Sequence, residues 1–150
     1  MTMQLPETFD RQGWIGLLAR ARPDDLAARM PSDLPEHAIL RAPEIGAVML
    51  RGRIGATGAP FNLGEMTVTR CSLRLACGAV GHAHVQGRNR DHARQAALVD
   101  ALMQTPRAAE IEANVLRPLS RSETERAALR AAKAAATRVE FFTLARGEDN

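Results

Sequence analysis

Apolar residues recur at two different periods along this chain, and the change of period divides it into three parts. From Phe9 to Arg20 (FDRQGWIGLLAR) the side chains of Phe9, Trp14, Leu17 and Leu18 fall near one helical face, with Thr8 or Asp10 able to cap the N-terminus. A second short helix is expected after Arg22, because Pro23 suits a first helical turn, Asp24 and Asp25 complement the helix dipole, and Pro31 stops it. From Ala38 the period falls to two, with Ala38, Leu40, Val48, Leu50 and Ile54 alternating with polar or small residues. Four strands are predicted, near 37–42, 45–54, 64–75 and 78–86, and short Gly or Pro turns make an antiparallel meander the economical topology. Helical spacing then returns: Asn89 or Asp91 caps a helix running to about Gln104, with Ala93, Ala97, Leu98, Ala101 and Leu102 as its stripe. Pro106 closes it. Ser120 and Glu123 match a capping box that opens an alanine-rich helix through about Thr137. The closing RVEFFTLARGEDN gathers Phe141, Phe142 and Leu144, and either continues that helix or docks as an extended segment.

The expected fold is α+β: one domain over 1–150, with an antiparallel four-stranded β-meander (about 37–87) flanked by N-terminal (about 7–31) and C-terminal (about 89–146) helices. Composition adds one qualification. Hydrophobic residues make up 45% of the chain, enough for a single core, but four Phe, one Trp and no Tyr leave little large aromatic surface to fill it. A thin core of this kind often leans on a partner chain. Met1 to Pro6 has no basic n-region or apolar h-region, and nowhere do about eighteen apolar residues run together, so a cytoplasmic protein that neither enters nor spans a membrane is expected. Its two cysteines, Cys71 and Cys77, are then expected to be reduced thiols.

Charge changes the picture more. The net charge is only +3, yet the pI is about 9.6 and Lys133 is the sole lysine. A GC-rich genome produces that bias, and guanidinium groups also bind phosphate and carboxylate bidentately. Strand parity puts Arg70, Ser72 and Arg74 on one face of the third predicted strand, and Thr67, Thr69, Cys71, Leu73 and Leu75 on the other, which looks inward. The same parity groups Arg51 with Arg53, and His82 with His84 and Gln86. If these faces coincide, one side of the sheet is a cationic field for a polyphosphate, a phosphonate or an acidic protein; otherwise each arginine is an ordinary solvated strand residue. Gln86-Gly87-Arg88 hands a strand over to a helix N-terminus, where free amides and a guanidinium can hold an anion, or where the turn simply caps the helix.

Other chemistry is poorly supported. His82-x-His84 could supply two metal ligands, but no third lies nearby, so no metal site is expected. Cys71 has no evident base, and GATG before Phe61 lacks the phosphate-loop patterns, so it reads as a mobile hairpin loop. Bases are dispersed and lack an aromatic platform, which argues against nucleic acid.

The blocks FDRQGWIGLLARA, RAPEIGAVMLRGRIGATGAPFNLGEMTVTRCSLRL, GHAHVQGRNRDHARQAALVDALMQ and TRVEFFTLARG, in this order, resemble the PhnG subunit of bacterial carbon–phosphorus lyase. The likeness covers nearly the whole chain; from Thr105 to Ala136 it is one of helical character only. It implies a subunit of a multiprotein core complex with nucleosidase-like, radical-SAM and accessory subunits, acting in phosphonate catabolism. That complex converts MgATP and an alkylphosphonate into ribose 1-alkylphosphonate 5-triphosphate plus adenine. No cofactor is then expected on this chain: MgATP is a substrate of the complex, and the iron–sulfur cluster and SAM belong to another subunit. The resemblance carries over no catalytic residue. Two roles stay open, an assembly subunit that shapes its partner, or one contributing its own catalytic or triphosphate-binding groups. Arg51, Arg53, Arg70, Arg74, His84, Gln86 and Arg88 are the candidates for contact with anion or partner. Trp14, Phe61, Phe141 and Phe142 are the candidates for a subunit interface, and the isolated chain is expected to be able to associate with itself.

Overall fold

Asp10 opens the first helix of the structure, a computed structural model that describes residues 9–139: its Oδ1 accepts from the Gly13 amide at 2.7 Å, and helix α1 (Arg11–Arg20) follows. Helix α2 (Pro23–Ala27) starts at Pro23 with Asp24 and Asp25 in its first turn, as the sequence predicts. Strand β1 (His37–Arg53), strand β2 (Pro60–Leu75) and strand β3 (Val80–Gln86) form one antiparallel sheet in the order β1-β2-β3. Helix α3 (Arg90–Leu102) is capped by Asn89, whose Oδ1 accepts from the His92 amide at 2.9 Å. A rod then runs to the end of the described residues: helix α4 (Ala108–Ile111), a π turn (Glu112–Leu116) and helix α5 (Arg117–Ala136).

Two sequence expectations are corrected here. The meander has three strands and not four, because the segments expected at 37–42 and 45–54 are one strand. Pro43 does not end it. β1 is an edge strand, so a residue without an amide hydrogen removes no essential ladder bond, and register shifts between Ile39 and Arg41 and between Arg41 and Glu44 absorb the irregularity as bulges. The last helix does not begin at a Ser120–Glu123 capping box either. Helical structure is already under way at Ala108 and continues past Pro118, whose ring nitrogen cannot bond to the Asn114 carbonyl; the π turn just before it takes up the mismatch. Ser120 is therefore a buried interior residue, and its carbonyl accepts from Thr124 Oγ1 at 3.0 Å.

The core lies on one side of the sheet. Thr69, Cys71, Leu73 and Leu75 of β2, with Ala83 and Val85 of β3, meet Leu17 and Leu18 of α1, Leu26 of α2 and the apolar stripe of α3, while Ile111, Val115, Leu116 and Leu119 close the bottom. These are the inward positions that strand parity predicts. Alanine on α3 allows close approach: a Cβ added to Gly81 would collide with the Ala97 carbonyl and Ala101, so helix backbone rests directly on strand backbone there. Helices cover β3 and the part of β2 beside it, but β1 has no buried residue. Among the described residues no helix is long and apolar enough to cross a membrane.

Candidate functional site

Pairing between strands decides which polar side chains meet. On the uncovered outer face, Arg70 lies opposite His84 and Ser72 opposite His82, and the Ser72 hydroxyl is 2.9 Å from His82 Nδ1. Across the other edge of β2, Arg70 faces Glu44, with 3.3 Å between Nη2 and Oε1. Arg41 reaches the same carboxylate at 3.7 Å. Gly46 makes room for this, since a Cβ there would stand 2.9 Å from Arg70 Nη2. The result is a small cationic cluster of Arg41, Arg70, His82 and His84 around one acid. Partial desolvation, then the charges of Arg70, Arg41 and His82, hold the His84 imidazole below its ordinary range. Arg41 and Glu44 are open to solvent, whereas Arg70 is only part-exposed and its Nε is buried without a hydrogen-bond partner.

Behind it sits a residue that strand and motif reasoning missed. Asp100 of α3 is fully buried and accepts four hydrogen bonds: from the His82 amide at 2.9 Å, Trp14 Nε1 at 2.8 Å, Arg11 Nε at 3.2 Å and Arg11 Nη2 at 2.9 Å. One carboxylate thereby joins β3, α1 and α3 and fixes the backbone that presents His82. The available signal was a lone acid inside the apolar run Leu98-Val99-Asp100-Ala101-Leu102. Glu123 likewise has a different task from capping, pairing with Arg20 at 2.7 Å to tie α5 to α1.

The other predicted site residues do not join the cluster. Gln86, opposite Val68, and exposed Arg88 lie at the far end of β3 and in the turn beyond it. In that turn Gly87 is tied to β2 by its amide to the Thr67 carbonyl (3.0 Å) and by its carbonyl to Thr69 Oγ1 (2.8 Å). Arg74 stands at the opposite end, lining an open groove of about 540 Å³ with Glu36, His37 and Leu75. Arg51 and Arg53 are further removed. Alternation along β1 from Glu44 through Gly46, Val48 and Leu50 puts both arginines on the other side of the ribbon, so the faces do not coincide into one field. They line a shallow groove at the hairpin tip with Gly52, Ala56 and Pro60, and Arg53 Nη1 donates to the Gly58 carbonyl at 3.1 Å. The residues of β2 from Asn62, opposite Arg51, to Arg74 span roughly 40 Å.

Of the interface candidates, Phe61 is exposed on this ribbon and packs over Gly52, whereas Trp14 is half-buried and held by Asp100. Phe141 and Phe142 lie outside the described residues. Among the described residues, no three of His, Cys, Asp and Glu gather as metal ligands. Cys71 is buried, which pushes its thiol pKa up, and Cys77 is exposed.

Comparison with known proteins agrees with the blocks quoted above. Residues 9–147 match the family described as phosphonate metabolism protein PhnG. The alpha-D-ribose 1-methylphosphonate 5-triphosphate synthase subunit PhnG of Rhizobium meliloti (strain 1021) is 45% identical over 142 residues, spanning 93% of this chain and 90% of that protein. With both matches running nearly end to end through the sheet, the α3 helix and the rod, this chain belongs to the PhnG family.

Proposed function

We propose that this chain is a subunit of a ribose 1-alkylphosphonate 5-triphosphate synthase in phosphonate catabolism, and that its main work is assembly. The observation that carries this reading is the near full-length match to a subunit of the Rhizobium meliloti synthase. In the reaction so assigned, a phosphonate oxygen bonds to the ribose C1′ of ATP as the C1′–N9 bond to adenine breaks. Dispersal of the candidate residues supports assembly over catalysis: Arg51 and Arg53 occupy one side of the ribbon, Arg70 and His84 the other, and Arg74 a distant end. The partners are a nucleosidase-like subunit that performs the displacement, together with radical-SAM and accessory subunits, in the cytoplasm. Iron–sulfur chemistry is assigned to another chain, since Cys71 and Cys77 lack the CxxxCxxC spacing that such a cluster needs.

Co-expression with and without this chain tests the reading. Adenine release from MgATP and an alkylphosphonate should require it, and Arg70→Ala, His84→Ala and Arg88→Ala complexes should turn over within about threefold of wild type. Intact complexes in which these substitutions abolish adenine release would show that the chain supplies catalytic groups. Tight binding of ATP or an alkylphosphonate by the isolated monomer would also defeat the assembly reading.

A further inference from the structure

Beyond Thr67 the sheet loses its third strand, and residues 60–67 of β2 pair with β1 alone. A two-stranded ribbon is marginal in water unless something packs on it. This one carries its apolar side chains bare: Ile45 is 43% exposed, Met49 54%, Leu50 37%, Ile54 65%, Phe61 40% and Leu63 65%. The side of β1 that continues the core face is equally uncovered. Ile39 and Ile45 lie opposite Leu73 and Thr69, which are fully buried, yet the two isoleucines are 44% and 43% exposed because the helical layer only grazes the edge strand, through α3. Along that side the order is Ile39, Ile45, Ala47, Met49, then Arg51 and Arg53: an apolar stripe ending in two cations.

We infer that this stripe is covered in the assembled enzyme by an apolar surface of a different protein chain, whose carboxylates meet Arg51 and Arg53. The inference rests on the assembly reading above and names its surface. Charge selects the occupant. On this side of the ribbon Glu65, opposite Met49, is the one acid beside Arg51 and Arg53, so two copies face to face would set four guanidiniums against two carboxylates and leave half of the cations unmatched. Edge-to-edge pairing of two β1 strands is blunted besides by Pro43 and the bulges on either side of Arg41. Guanidinium groups suit burial beside carboxylates better than ammonium groups, because they are less strongly hydrated and present a fork of donors.

The test uses the full chain and the co-expressed synthase subunits. Met49→Asp should leave the chain folded, with an unchanged melting temperature, and weaken its association with the other subunits by about 100-fold or more. Arg51→Glu with Arg53→Glu should weaken it by about 10-fold, mostly through slower association, and flatten its salt dependence. Hydrogen exchange of residues 44–53 and 60–67 in the wild-type chain should be fast alone and slow in the complex; this reading decides the matter if Met49→Asp fails to fold. Association of both variants within threefold of wild type overturns the inference while leaving the assembly reading intact, as does exchange on the ribbon that assembly leaves unchanged. Slow exchange already present in the free monomer means that the chain covers its own ribbon. A homodimer that Met49→Asp dissociates gives the surface to a second copy. Either result also overturns the proposal. Failure of the wild-type chain to join the other subunits at all brings down the subunit reading itself, and this inference with it.

Discussion

Leu73 and Met49 sit on the same side of the same sheet and meet opposite fates. Leu73, at the middle of β2, is fully buried under α3, whereas Met49, near the end of β1, is 54% exposed. β2 alternates Cys71, Leu73 and Leu75 with Ser72 and Arg74, and Val48-Met49-Leu50 of β1 is apolar throughout, so the pattern alone gives Met49 no less claim to a core than Leu73. What separates them is reach: one helical layer built from α1 and α3 covers about two strands, and the edge strand stays bare. The comparison teaches that this chain finishes its hydrophobic packing on one half of the sheet and leaves it open on the other.

The sharpest way to break that contrast is to overfill or empty the finished half. Gly81→Ala pushes a methyl group into the backbone of α3 and should destabilise the domain by about 3 kcal/mol or more. Leu73→Ala should lose about 3 kcal/mol through its cavity, both measured as a shift of urea midpoint. A loss below about 1 kcal/mol for either would mean that the core half is as loosely packed as the ribbon.

A smaller effect is expected from the polar hub beneath the cluster. Asp100→Ala strands the indole and His82 amide hydrogens in the interior, at a cost of about 2–3 kcal/mol, while Asp100→Asn, which keeps acceptor capacity, should recover part of it. Arg11→Ala should matter much less, under about 1 kcal/mol, because Arg11 is nearly half exposed and water screens its ion pair. Equal losses for Asp100→Ala and Arg11→Ala would make the ion pair, and not the buried acceptor, the source of stability.

Proton linkage probes the same half. His92 is buried with Nε2 2.9 Å from the Leu18 carbonyl, so Nε2 carries the hydrogen and Nδ1 is left bare and unpartnered. Burial lowers its pKa, with the Leu18 hydrogen bond opposing in part. A histidine whose folded pKa lies below its unfolded value binds fewer protons when native, so its stabilising contribution is complete above about pH 6.5 and is lost as pH falls below that towards the folded pKa. His84 shifts in the same direction, so the slope of stability between about pH 6.5 and 5 belongs to both. His92→Gln should reduce that slope, and an unchanged slope would assign it to His84 or to another titrating group.

The smallest effect belongs to the unfinished half. Met49→Ala removes a side chain that is already more than half in water and should change stability by less than about 0.5 kcal/mol. A loss comparable to that of Leu73→Ala would show that the ribbon is packed in solution, and the comparison would fail.

Much of this architecture was readable from local chemistry. Asp10 and Asn89 cap α1 and α3, Pro23 and its two aspartates start α2, and parity along β2 and β3 separates Cys71, Leu73, Ala83 and Val85 from Arg70, Ser72, His82 and His84. Errors arose where a residue's ordinary local meaning was overruled by its position. Pro43 reads as a strand end, but at a sheet edge with bulges beside it the strand runs on. Ser120 reads as a helix cap, but helical structure is already under way at Ala108 and a π turn carries it past Pro118 and Ser120. At the cluster, parity grouped Arg70 with Ser72, and His82 with His84, correctly within each strand.

Local sequence determined the caps, the periods, the inward face of each central strand and, through its distinctive blocks, the family. Such features depend on neighbours within a turn of helix or a pair of strand residues. Tertiary structure alone decided that Arg51 and Arg53 part company with Arg70, that Asp100 gathers three elements, and that Ile39, Ile45 and Met49 face outward water in place of a helix. Each of these depends on register between strands or on how far a helical layer extends, and register and reach are set by contacts between residues far apart in the chain.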